Sequence, residues 1–163
     1  MQLDKLITSR EVWLDFKAGN KDQALTELCR FACSLMDLNL EPILQVVKQR
    51  ETLGSTAMGG GVAIPHGKTN LVDNAVLFLA RTAPGEALDF DSPDGVPVSL
   101  VALILSPLII DSDHLKLLAL LGKILKSPQN VKILMEAPNS WAFADSFLML
   151  SGQTPYNSTT LAR

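Results

Sequence analysis

His66, one of only two histidines in the chain, ends the stretch Gly59-Gly60-Gly61-Val62-Ala63-Ile64-Pro65-His66 and is followed by Gly67-Lys68. An imidazole is largely neutral near pH 7 and nucleophilic, so it can carry a covalent phosphoryl or acyl group without a metal. Its setting favours such use. Pro65 fixes its own φ and biases Ile64 towards extended geometry, which presents His66 rigidly at a strand end. Three glycines tolerate positive φ and let backbone N–H groups converge on an anion or on a partner's surface. A tight turn whose histidine only ends a strand is the structural alternative.

Other residues with chemical potential lie at element ends. Glu41-Pro42 reads as a helix start, Ile43, Leu44, Val46 and Val47 as its inward face, and Arg50 as a cation in its last turn. Leu53 to Gly61 is a loop of small residues. Ser55 and Thr56 in it offer hydroxyls to an anion or to the imidazole, or serve the turn itself. His114, the second histidine, falls in the first turn of a helix whose apolar residues are Leu115, Leu117, Leu118, Leu120, Leu121, Ile124 and Leu125. The positive helix terminus there disfavours its protonation.

The positioning elements follow from periodicity. Leu3 to Leu6 is a short helix, and Val12, Leu14 and Phe16 alternate as a strand. Asn20 and Gln23 resemble a capping box, opening a helix to about Asp37. Ala75–Ala80 and Val98–Leu105 are near-continuous apolar runs, expected of strands covered on both faces. Turns between them flank a short strand at Leu88 to Phe90. Ser127-Pro128 opens a helix to about Glu136, and Asn139-Ser140 the last one. Strands with helices between and after them predict an α/β fold with a mixed sheet.

Composition narrows the class. The 163 residues are 47% hydrophobic and 19% charged, enough for one substantial core. With a net charge of −3 and no basic run, nucleic acid is not an expected partner. The N-terminus carries no signal-like apolar core, and the run from Val98 to Ile110 is too short to span a bilayer. Cys29 and Cys33 share a helix face without a histidine nearby, so reduced core thiols are expected, in keeping with a cytoplasmic location.

Four blocks in fixed order carry a family resemblance: Arg50-Glu51-Thr52-Leu53-Gly54-Ser55-Thr56, Gly61 to Lys68, Phe90-Asp91-Ser92-Pro93-Asp94-Gly95-Val96-Pro97-Val98, and His114-Leu115-Lys116-Leu117-Leu118. Together they resemble the phosphotransferase-system (PTS) IIA proteins of the mannitol/fructose/nitrogen-regulatory class. The resemblance implies a three-layer α/β/α sandwich with a mixed sheet of about five strands over residues 1–150, with a flexible tail at 151–163. It implies that His66 accepts a phosphoryl group, at Nε2, from a histidine-phosphorylated carrier protein, with Arg50 and His114 as the other catalytic residues and no cofactor or metal. Ser55, Thr56 and Gly67 are then expected to bind the phosphate. Leu108, Ile109 and Ile110, a loop more polar in comparable proteins, are expected either to dock the partner together with Met58 or to turn into the core.

Two outputs follow from the resemblance. A chain without fused domains suits a nitrogen-regulatory IIA protein that signals by phosphorylation-dependent binding to a regulatory target. The alternative is a transport component passing the phosphoryl group to a sugar-specific IIB domain. A third reading is an interaction domain that keeps the fold without being phosphorylated.

Overall fold

The alternation of side chains along two central strands shapes the molecule. In the computed structural model, which describes residues 3–109 and 112–152, the strands are β1 (Val12–Phe16), β2 (Ala57–Gly59), β3 (Val62–Ala63), β4 (His66–Lys68), β5 (Val76–Thr82) and β6 (Leu100–Ser106). The helices are α1 (Lys21–Met36), α2 (Leu40–Thr52), α3 (Ser112–Leu125), α4 (Pro128–Glu136) and α5 (Ser140–Leu150). Along β6, Leu100, Ala102 and Ile104 enter one core, and Val101, Leu103 and Leu105 enter a second. In β5, Leu77 and Leu79 face the first and Phe78 and Ala80 the second. The unbroken apolar runs in the sequence are therefore strands buried on both sides.

Helices α3, α4 and α5 cover the first face, and α1 and α2 the second. This is the expected three-layer sandwich. The sheet order is β1-β5-β6-β3-β2, with β4 also paired to β6. It is mixed: β1 runs parallel to β5, β5 antiparallel to β6, and β3 and β4 both parallel to β6. The strand count is six rather than five because the strand leading to His66 is divided. Residues Ile64 and Pro65 interrupt it, yet β3 pairs with the start of β6 and β4 with its end, while the Pro65 carbonyl accepts from Ile104 N–H at 3.1 Å.

Several local expectations change in detail. Asn20 caps α1 by accepting from Gln23 N–H, but Gln23 Oε1 reaches back to Gly19 N–H at 2.9 Å rather than to Asn20. The short strand at Leu88 to Phe90 reduces to a single bridge between Leu88 and Val98. Leu115 stands out from the core at 69% exposure. Cys29 and Cys33 are buried and unpaired, and burial pushes the Cys29 thiol up to about 12. Residues 153–163 of the expected tail, and Ile110, lie outside the described residues.

Candidate functional site

The sheet register decides where the histidines go. His66 pairs with Ile104 and Gly67 with Leu105, so His66 points to the face of α3 and Gly67 to that of α2. Gly67 is needed there for space. A Cβ on it would lie 2.9 Å from Val46 Cγ2 and 3.3 Å from the Val46 and Val47 backbone. The glycine allows α2 to pack closely on β4. His114, the third residue of α3, comes from the other side, and the two imidazole centroids are 5.4 Å apart at 60°.

Each ring is held at Nδ1. His66 Nδ1 lies 2.9 Å from the Ile64 carbonyl, which can only accept. That contact places the proton on Nδ1 and leaves a bare lone pair on Nε2. His66 is half-buried, and among the described residues no hydrogen bond engages its other nitrogen. The acceptor two residues back is a consequence of the Ile64-Pro65 interruption. His114 is buried, and its Nδ1 lies 2.6 Å from Ser106 Oγ at the end of β6.

Arg50, in the last turn of α2, donates from Nη1 to the Gly54 carbonyl at 3.0 Å, and its charge is felt at His66. A guanidinium so placed keeps further N–H groups for an anion on His66. Lys68, exposed two residues on, places a second cation near both rings.

The imidazoles resist protonation. Burial is the main cause at His66; the Ile64 bond opposes it and Arg50 reinforces it. At His114 burial again leads, followed by the charges of His66 and Lys68. A base held below its ordinary value near ~6.5 binds protons more weakly folded than unfolded, so stability falls as pH drops below that value. Between pH 7.5 and 5.5 the midpoint of urea unfolding should therefore fall, and fall less in a His66→Gln/His114→Gln double variant. Equal losses in both proteins would assign the effect elsewhere. Asp94 does not interfere, because its lowered carboxyl contributes only at more acid pH.

The loop between Arg50 and β2 is braced from within. Glu51 is buried and accepts from Thr56 N–H at 2.9 Å and Thr56 Oγ1 at 2.6 Å, while Lys21 Nζ pairs with it at 2.7 Å. Ser55 Oγ donates to the Phe90 carbonyl at 2.6 Å. A hydroxyl has one proton, and both are spent within the chain. Ser55 and Thr56 thus shape the loop in the phosphate-free chain.

The glycine run is also engaged within the chain. Gly59, Gly60 and Gly61 all have positive φ, at 91°, 66° and 81°, and turn the chain between antiparallel β2 and β3. The Gly60 N–H does meet an anion, the chain's own Asp94 at 2.8 Å. Met58 belongs to this end of the sheet, where it lines a cavity of about 460 Å³ with Leu125 and Val131. β2 reaches the start of β6 through β3, whereas Leu108 and Ile109 follow its end, roughly 20 Å along the strand. Met58 therefore does not join them in one patch. Leu108 and Ile109 themselves are exposed, at 57% and 84%, and do not turn into the core.

Sequence reasoning missed the buried partners Ser106 and Glu51 and two exposed leucines near the site residues in sequence. Leu53 (84% exposed) follows Arg50 by three residues, and Leu115 is adjacent to His114.

The chain matches known proteins along most of its length. Residues 5–148 match the family model described as phosphoenolpyruvate-dependent sugar phosphotransferase system, EIIA 2. A nitrogen regulatory protein of Bradyrhizobium diazoefficiens is 37% identical over 142 residues, which is 87% of this chain and 92% of that protein. The fructose-specific EIIABC component of Bacillus subtilis is 30% identical over 146 residues, 89% of this chain but 23% of that much longer protein. Among solved structures, the nitrogen regulatory protein IIA-Ntr of Neisseria meningitidis superposes with a TM-score of 0.82 at 29% identity, covering 89% of this chain and 98% of that one.

Proposed function

The chain belongs to the EIIA 2 family of the phosphoenolpyruvate-dependent sugar phosphotransferase system, and from that membership we propose that it accepts a phosphoryl group on His66 Nε2 and signals through phosphorylation-dependent binding of a partner. The observation that carries the assignment is the His66 Nδ1 to Ile64 carbonyl contact, which exposes Nε2 as the lone-pair nitrogen beside His114. The donor is a histidine-phosphorylated carrier protein. The regulatory output is favoured over sugar transport by likeness to nitrogen regulatory proteins over nearly their whole length. The fructose-specific relative keeps the transport reading, with a IIB domain as acceptor, as the alternative.

In-line transfer between two imidazoles needs placement and compensation of charge on the equatorial oxygens rather than covalent help. Arg50 supplies a planar donor set and His114 a directional one. Removing one preorganised donor costs on the order of 10²–10³ in rate. His114→Ala should accordingly be labelled at His66 in the presence of phosphoenolpyruvate, the first PTS enzyme and the carrier, but slowly. Arg50→Lys should recover only part of the rate of wild type, because a point charge cannot reproduce the fork. Wild-type rates in both variants would leave Arg50 and His114 as helix-end residues alone.

Leu108 and Ile109, exposed just after the end of β6, form the apolar surface on which the carrier docks. Exposed aliphatic area costs ~25 cal/mol per Å² in water, so its burial favours association. Ile109→Asp should raise the KM for the phosphorylated carrier several-fold and leave Tm unchanged. An unchanged KM would move the docking surface away from this loop.

A further inference from the structure

We propose that Ser106 is a positioning residue of the transfer reaction: its hydroxyl donates to His114 Nδ1, fixing the proton of His114 on Nε2, the nitrogen left for the phosphoryl group. The kinetic consequence rests on the reading of His66 as phosphoryl acceptor; the proton assignment does not.

The geometry has two parts. Ser106 is fully buried at the end of β6, and its Oγ lies 2.6 Å from His114 Nδ1. Its own backbone carbonyl is taken by Thr69 N–H at 2.8 Å, so strand pairing holds the serine in place. Among the described residues, His114 Nδ1 is the partner recorded for the hydroxyl. Were Nδ1 to carry the proton and donate, the serine proton would be buried without an acceptor among the described residues, a costly arrangement. With the hydroxyl as donor, both groups are satisfied. His114 is neutral in this state, since it is buried and sits at the positive end of α3, so a tautomer must be chosen and Ser106 chooses it.

The second part is the contrast with His66. There Nδ1 faces a carbonyl that can only accept, whereas at His114 Nδ1 faces a hydroxyl that can give. The two anchors impose opposite tautomers on rings 5.4 Å apart. His66 presents a bare Nε2 and His114 presents an Nε2–H, a nucleophile beside a hydrogen-bond donor. In the transfer, the P–N bond of the donor's phosphoimidazole breaks while a P–N bond to His66 Nε2 forms. The electron pair of the broken bond stays on the departing ring. His114 shares its Nε2 proton with a phosphoryl oxygen and releases nothing.

Nitrogen-15 NMR of the unphosphorylated protein tests the assignment directly, since only two imidazoles contribute and a His66→Ala variant identifies them. At pH 7.5 the unprotonated, pyridine-type nitrogen should be Nε2 for His66 and Nδ1 for His114. A protonated Nδ1 in His114 overturns the proposal. In kinetics driven by phosphoenolpyruvate and the carrier, Ser106→Ala should lower the maximal labelling rate on the order of ten- to a hundredfold, the range that outer hydrogen-bond partners of ligating histidines carry. KM should stay constant, and Ser106→Thr, which keeps a hydroxyl, should recover most of the rate. Wild-type rates in Ser106→Ala, or equal losses in both variants, would show that the hydroxyl does not position the ring. Failure of the carrier to label the wild type would instead refute the acceptor role of His66, and the NMR result would stand by itself.

Discussion

His66→Ala is expected to take up no phosphoryl group from the phosphorylated carrier, while wild type gains one that is lost in acid. The expectation comes from counting nucleophiles. Of the two imidazoles, His114 is 5% exposed with Nδ1 occupied, and His66 is half-buried, its Nε2 without a hydrogen bond among the described residues. Removing His66 leaves no ring that a protein-sized donor can reach. The fold should tolerate the change, because the ring's hydrogen bond is local, to Ile64 two residues away, and the sheet pairing of β4 with β6 is a backbone matter. Intact-mass spectrometry after incubation gives the label count, and thermal unfolding shows whether the variant is folded. A folded variant labelled as fully as wild type would remove His66 from the mechanism.

The largest effect on stability should come from Glu51→Ala. The carboxylate is 6% exposed and holds three groups: Lys21 Nζ, Thr56 N–H and Thr56 Oγ1. Deleting one partner of a buried ion pair costs about 3–5 kcal/mol, chiefly because the other charge is left without compensation. Lys21 keeps 20% exposure and a second carboxylate, Asp91 at 3.4 Å, so a loss of about 3 kcal/mol is expected, at the lower end. It should appear as a lower urea midpoint with an unchanged m-value. Adding Lys21→Met to Glu51→Leu should return part of the loss, since replacing both charges with apolar groups removes the uncompensated one. A loss within about 0.5 kcal/mol, the scale of an ordinary surface change, would show that the pair is energetically idle.

The expected layers, helices and long strands were readable because they depend on local periodicity. Continuous apolar runs at Ala75–Ala80 and Val98–Leu105 can be accommodated only between two helical layers, and both flank the sheet's centre. The position of His66 was legible too, since Pro65 and Gly67 constrain the chain on either side of it. What stayed hidden depends on partners distant in sequence. Glu51 carried no local signal of a buried ion pair, because its partner Lys21 is thirty residues earlier. The glycines advertised positive φ, which they have, but Asp94, 34 residues later, claims the N–H that seemed free for a ligand. Ser106 closes an apolar run and gives no local signal; only the return of α3 brings His114 onto it. Met58 and Leu108 were grouped by a shared chemistry that the sheet separates by the length of β6.

All seven residues of β6 are buried, and the strand is hydrogen-bonded on both sides, to β5 and to β3 and β4. Amides in such a strand have no local opening that exposes them, so they exchange with deuterium only when the whole molecule unfolds. The two anchors of the site, the pairing of His66 with Ile104 and the seat of Ser106, belong to this slowest-exchanging unit. Arg50, Leu108 and Ile109 do not; they lie on a helix end and a loop, at the low-protection end of the scale. A charge arriving on His66 thus meets a frame that does not yield. Any change a partner could read from it is confined to side chains and loops around the pair, and deuterium uptake should differ there and nowhere in β6.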